Sequence, residues 1–141
     1  MRRDILLLRP LAAGDDLALL ALRLLTGAFL IHGVWDNIAS VARMTEFVSF
    51  LAANGFPAPS ILAPFSVWMQ FAIGIALCLG GLTRWSGILL AGHFAVGVGM
   101  VHLHQSFREI WPAIVLVGLG LLFATRGAGR LALDTWIGRT G

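Results

Sequence analysis

Four apolar runs decide what this chain can fold into. They cover roughly residues 17–35, 60–82, 85–104 and 110–125. Each is near the ~20 residues that an α-helix needs to cross a hydrocarbon core, the fourth being shortest. Glu46 and Arg84 bracket a charge-free stretch that contains the second run. Lipid offers backbone N–H and C=O groups no water, so only helices and closed barrels cross it, and runs this long are helices. Composition agrees. The 141 residues are 58% hydrophobic and 12% charged, with a mean hydropathy of +0.87, against about 25% charged in an average soluble protein. So little polar surface excludes a soluble enzyme.

The net charge of +3 comes from ten basic residues, all arginine. All but Arg23 lie outside the apolar runs and not on one face, which excludes nucleic acid as a partner and points to membrane topology. Arg2, Arg3, Arg9, Arg84, Arg126, Arg130 and Arg139 belong to the N-terminus, the turn between the second and third runs, and the C-terminus. The opposite side has only Arg43 and Arg108. The positive-inside rule then predicts that both termini are cytoplasmic. The opening MRRDILLLRP has an apolar part of only Ile5 to Leu8, shorter than the about 7–15 residues of a signal-peptide core. It is expected to stay uncleaved near the cytoplasmic surface. The lone Cys78 permits no intramolecular disulfide and no C-x-x-C centre, and reads as a small apolar filler.

The expected fold is an all-α membrane protein, one domain over residues 1–141. It is an up-down four-transmembrane helix bundle with a short amphipathic periplasmic helix between spans one and two. Asp15 or Asp16 is placed to cap the first span. In the longest connection, MTEFVSFLAANGF carries Phe47, Phe50 and Leu51 at helical spacing, with Thr45 as a possible cap and Asn54-Gly55 as the stop. Small residues four apart, Gly87, Ala91, Ala95 and Gly99 on the third span and Ala72, Ala76 and Gly80 on the second, predict close helix packing. Pro112 is expected in the first turn of the fourth span, where its missing N–H is tolerated. Trp35, Trp85, Trp111 and Trp136 fall at span ends and suit an interfacial belt, with Trp68 deeper, in the core.

Three stretches carry a resemblance: RLLTGAFLIHGVWDNI at the first span, LAANGFPAPSILAPFSVWMQFAIGIALCLGGLTRWSGILLAGHF across the second and third, and GAGRLALD at Gly127–Asp134. Together they resemble the DoxX family of small four-helix membrane proteins, over about Leu17 to Asp134. The resemblance implies a prokaryotic inner-membrane protein. It implies a link to quinone-dependent oxidation too, because the related DoxD is a subunit of archaeal thiosulfate:quinone oxidoreductase. Other relatives are linked to redox-stress complexes. Two positions depart from the family pattern. Gln70 stands where members commonly carry a glutamate, and an amide cannot relay a carboxylate proton. Trp35-Asp36-Asn37 stands where many members place a lysine.

No residue is singled out as catalytic. Candidates for binding a quinone or ligand are His32, Asp36, His102, His104 and Glu109 near the outer helix ends, and Gln70 and His93 deeper in the membrane. His32 and Asp36 are four apart and share a helix face, so the carboxylate can orient the imidazole. His102 and His104 point about 160° apart, so only one of them faces the bundle axis. Gln70 and His93 are placed to hydrogen-bond across helices. His32, His102 and Glu109 are the metal candidates, although no H-x-x-x-H spacing supports them. The competing reading is that interfacial histidines simply meet headgroups and water. Arg23 lies about 9 Å inside the first span and nearly opposite His32, and is expected to snorkel to the surface or to pair with a headgroup or a cytoplasmic acid. The sequence holds no haem pair, Fe–S framework or flavin fold, so electrons would need a bound quinone or a redox-protein partner. Two functions follow. One is a membrane subunit or accessory of a quinone-linked oxidoreductase system. The other is a non-enzymatic scaffold or a lipid or small-molecule binding or transport protein. Membrane lipids are the expected surroundings, and a homo-oligomer is compatible with the small size.

Overall fold

The computed structural model describes residues 9–102 and 105–138, excluding the side chains of residues 9, 10, 12 and 102. A 3-10 turn at Arg9–Gly14 leads into α1 (Asp15–Ala39). The amphipathic α2 (Val41–Ala53) follows, then α3 (Pro59–Leu79) and α4 (Thr83–Gly97), which runs on through a π-helical turn at Val98–His102. α5 (Phe107–Arg126) and the short α6 (Leu133–Ile137) follow. No strand occurs among the described residues. Among the described residues four helices, α1, α3, α4 with its extension, and α5, are long and apolar enough to span a membrane.

The spanning helices pack as two antiparallel hairpins, α1 with α3 and α4 with α5. Each hairpin crosses at a pair of glycines. A Cβ on Gly27 would lie 2.5 Å from Cys78 Sγ and 2.6 Å from the Gly74 carbonyl oxygen, and one on Gly74 would meet Ile31 at 2.7 Å. A Cβ on Gly87 would lie 2.5 Å from the Gly120 carbonyl oxygen and strike the Ala124 amide. Small residues let backbones approach this closely, which is how apolar helices gain contact in a solvent as apolar as themselves. Leu19, Leu30, Ile73, Leu77, Leu90 and Phe123 join the hairpins in one buried cluster. No more than a third of the most apolar stretch of any spanning helix is buried within the chain, so most helix surface faces outward, as befits lipid contact.

Several local expectations need correction. The crossing on α3 uses Gly74, because Ile73, Gly74 and Leu77 form its inner face while Ala72 is exposed. On α4, Gly87 and Ala91 pack against Gly120, but Ala95 and Gly99 are exposed. Trp68 is 54% exposed, edge-on to Phe71, and not in the core. Because α5 starts at Phe107, Pro112 lies inside the helix, beyond its first turn. Ser40 caps α2, its hydroxyl accepting from the Arg43 amide, and Thr45 instead donates to the Val41 carbonyl. The N-cap of α1 is Gly14, without a side-chain cap bond. Asp15 and Asp16 turn to the C-terminal segment, Asp15 pairing with Arg126 at 2.8 Å and Asp16 accepting from the Arg130 amide at 2.9 Å.

Arg23 gives the largest correction. It does not snorkel, being 1% exposed and the largest fully buried side chain among the described residues. Its guanidinium donates to the carbonyls of Leu77 (3.2 Å), Leu131 (2.9 Å) and Ala128. One cation thereby ties the end of α3 to the segment after α5. Asp134 locks the same segment to α4, its carboxylate accepting from the Leu82 and Thr83 amides at 2.6 and 2.8 Å. Gly80 (φ +71°) makes room, since a Cβ there would lie 2.6 Å from Ala132 and 2.8 Å from Arg23 Nη1. The stretch GAGRLALD is therefore a strap over the end of the bundle that carries the described termini.

Candidate functional site

At the opposite end, α1 leaves the bundle and turns at Ser40 into α2. The two helices enclose a cleft of about 370 Å³, lined by Gly33, Asp36, Asn37, Arg43, Glu46, Phe47 and Phe50. Its wall is built locally. Asn37 Nδ2 donates to the Arg43 carbonyl at 3.1 Å, and Arg43 pairs with Glu46 one turn along at 3.0 Å. Phe47 and Phe50 stack at 6.3 Å between ring centres. Asp36 faces this cleft with no hydrogen-bond partner for its carboxylate among the described residues. It is an acidic acceptor beside an aromatic wall, able to take a hydrogen bond from a hydroxyl or a cationic group.

His32 lies one turn deeper on α1 and is exposed. The buried positions of α1 are Leu19, Arg23, Thr26, Gly27, Leu30 and Val34. Nine residues at about 100° each put His32 on the side opposite Arg23, so the imidazole faces outward from the bundle. No hydrogen bond joins it to Asp36. Glu109 is exposed at the start of α5, where its carboxylate accepts from the Ser106 amide and hydroxyl, both at 2.9 Å, in a cap of that helix. Gln70 and His93 are half-buried but do not bond each other. Gln70 donates within its own helix to Ser66 Oγ at 3.4 Å, and His93 stands edge-on to Phe94. The His102 side chain and all of His104 lie outside the described residues. Among the described residues, no three His, Cys, Asp or Glu side chains converge to share a metal ion. Thus Asp36 lines a cleft that His32, Glu109, Gln70 and His93 do not line.

Sequence reasoning passed over Asn37, Arg43 and Glu46. The signal was present in the i,i+3 spacing of Arg43 and Glu46 and in the N-cap residue Ser40, four residues before the Met44 that opens MTEF.

Residues 18–103, more than half of the chain, match the sequence profile of the DoxX family. The chain belongs to the DoxX family. It is also 24% identical over 126 residues to the inner membrane protein YqjF of Escherichia coli (strain K12), a match spanning 85% of this chain and 92% of that protein. No solved structure matches the chain. Family membership and four apolar helices together make this a multi-pass inner-membrane protein. The DoxX match takes in His32, Asp36, Gln70, His93 and His102 and ends before the strap at Gly127–Asp134.

Proposed function

We propose that this DoxX protein is a membrane subunit or accessory of a quinone-linked oxidoreductase system, binding a quinone or a redox partner at the α1–α2 end. The observation that carries this reading is the outward placement of His32 and Asp36, one turn apart on the exposed side of α1. A quinone moving in the bilayer reaches such groups laterally. An imidazole N–H can donate to a quinone carbonyl, and Phe47 and Phe50 offer flat apolar contact beside the ring. The chain supplies surface and hydrogen bonds, and the partner supplies the electrons. His102, His104 and Glu109, which the sequence puts near the outer helix ends, are further candidates, and Gln70 and His93 are candidates deeper along a quinone's path.

The test is to purify the protein with its native lipids, extract it with solvent and assay for quinone, then measure quinone reduction in membranes carrying His32→Ala and Asp36→Asn. Co-extracted quinone and a loss of about tenfold in quinone reduction are expected, the effect of about one hydrogen bond. Absence of quinone together with unchanged reduction in the double variant overturns the reading. That outcome would favour the alternative, a non-enzymatic scaffold or lipid or small-molecule binding or transport protein, which the wholly apolar glycine crossings suit.

We further propose that the strap end, with both termini, faces the cytoplasm, on the seven-to-two arginine imbalance. A phosphatase reporter that folds only outside the cytoplasm, fused after Gly141, is expected to stay inactive, and the same reporter inserted at Asn54-Gly55 to be active. The reverse pattern overturns the orientation.

A further inference from the structure

The strap encloses a second cleft, of about 530 Å³, between the start of α4 and the end of α5. Arg84, Arg126, Thr83, Trp85 and Gly127 line it together with Asp134. Its charge is unequally spent. Both Asp134 carboxylate oxygens accept from the backbone amides of Leu82 and Thr83, so the acid is turned toward the helix start. Arg84 uses only Nη1 on protein, donating to the Ala124 and Thr125 carbonyls at 3.0 and 2.7 Å. Its Nε and Nη2 lie over Gly127, where a Cβ would sit 3.4 and 3.5 Å away. Glycine, also required by φ +80°, thus keeps that edge of the guanidinium open. Arg126 is half-exposed and shared with Asp15. Thr83, fully buried in the cleft lining, has a hydroxyl without a hydrogen-bond partner among the described residues. Trp85 and Leu82, 66% and 70% exposed, form an apolar rim.

We propose that this cleft binds the phosphate of an anionic phospholipid headgroup, held by Arg84 and Arg126, with the acyl chains lying along Trp85 and Leu82. A planar guanidinium edge with two free N–H groups matches two phosphate oxygens, and basic clefts beside helix ends are recognised seats for acidic headgroups. The apolar rim selects a lipid over free phosphate. The site is at the far end of the molecule from His32 and Asp36 and does not depend on the quinone reading.

The test uses full-length protein, delipidated in a neutral detergent and titrated with short-chain phosphatidylglycerol, short-chain phosphatidylcholine or inorganic phosphate, with binding read by native mass spectrometry. Phosphatidylglycerol is expected to bind one per chain. Arg126→Gln, which disturbs only an exposed ion pair, should weaken binding about fivefold, the effect of one arginine near an acidic headgroup. Asp15→Asn, which frees Arg126 of its competitor, should tighten it, a gain that a merely structural role would not produce. Arg108→Gln at the opposite end should leave binding unchanged. Equal binding of the two lipids, or no change in both Arg126→Gln and Asp15→Asn, overturns the site. Inorganic phosphate binding as tightly as phosphatidylglycerol overturns the lipid assignment in favour of a free phosphate.

Discussion

Replacing Arg23 with leucine is expected to destabilise the protein by about 3 kcal/mol or more, because three carbonyl acceptors lose their donor at once. Leucine suits the apolar surroundings but leaves the carbonyls of Leu77, Ala128 and Leu131 without their donor. An unsatisfied buried acceptor costs about 1–3 kcal/mol, and here three share one donor group. The loss should also be local. The strap, freed from α3, should be cleaved by trypsin after the already exposed Arg130 faster than in the wild type, before the spanning helices unfold. Lysine at the same position keeps the charge but not the planar fork, so Arg23→Lys should fall between wild type and leucine. Reversible unfolding in detergent and the rate of cleavage after Arg130 are the measurements. Unchanged stability and an unchanged cleavage rate in Arg23→Leu would show that the strap is held by Asp134 alone.

Gly87→Ala is expected to be the most damaging single methyl group on α4. The new Cβ would meet the backbone of Gly120 and Ala124, and backbone cannot rotate away as a side chain can. The α4–α5 hairpin would have to open, at a cost of about 1–3 kcal/mol or more, as for other overpacked contacts. Gly92 and Gly118, on the same two helices, have nothing within 4 Å of an added Cβ. There alanine should be neutral or stabilising by about 0.5–1 kcal/mol, because it narrows the backbone freedom lost on folding. The three variants compared in one detergent unfolding series isolate the crossing from helix propensity. A Gly87→Ala protein as stable as Gly92→Ala would remove the close crossing as the source of hairpin cohesion.

The contrast between these glycines explains how much of the fold was legible beforehand. Length and apolarity of the runs gave the four helices, and the apolar spacing of Phe47, Phe50 and Leu51 gave α2. The small-residue rule found Gly87 but took Ala72, Ala76 and Gly80 as the stripe on α3, where the contact is at Gly74. A stripe of small residues marks where a helix can be approached, not which neighbour approaches. The boundary errors have a similar origin. Ser40 and Phe107 start their helices before the apolar pattern does, because a cap is set by backbone hydrogen bonding and not by hydropathy.

The candidate site was legible in residue types and not in direction. His32 and Asp36 sit near the end of a span as their position in the first apolar run implied, and the opposite placement of Arg23 and His32 followed from helix geometry alone. Which of the two faced inward did not. In water a helix shows its inside through amphipathicity. In lipid both faces of α1 are apolar, so the pattern carries no sign.

The sequence alone therefore determined the solvent, the number of crossings and the ends at which charge collects, because each is a property of local runs set against the thickness of a bilayer. The tertiary structure alone decided that Arg23 is the inward residue of α1. Its partners lie 54 to 108 positions along the chain, and only the folded strap brings their carbonyls to one guanidinium.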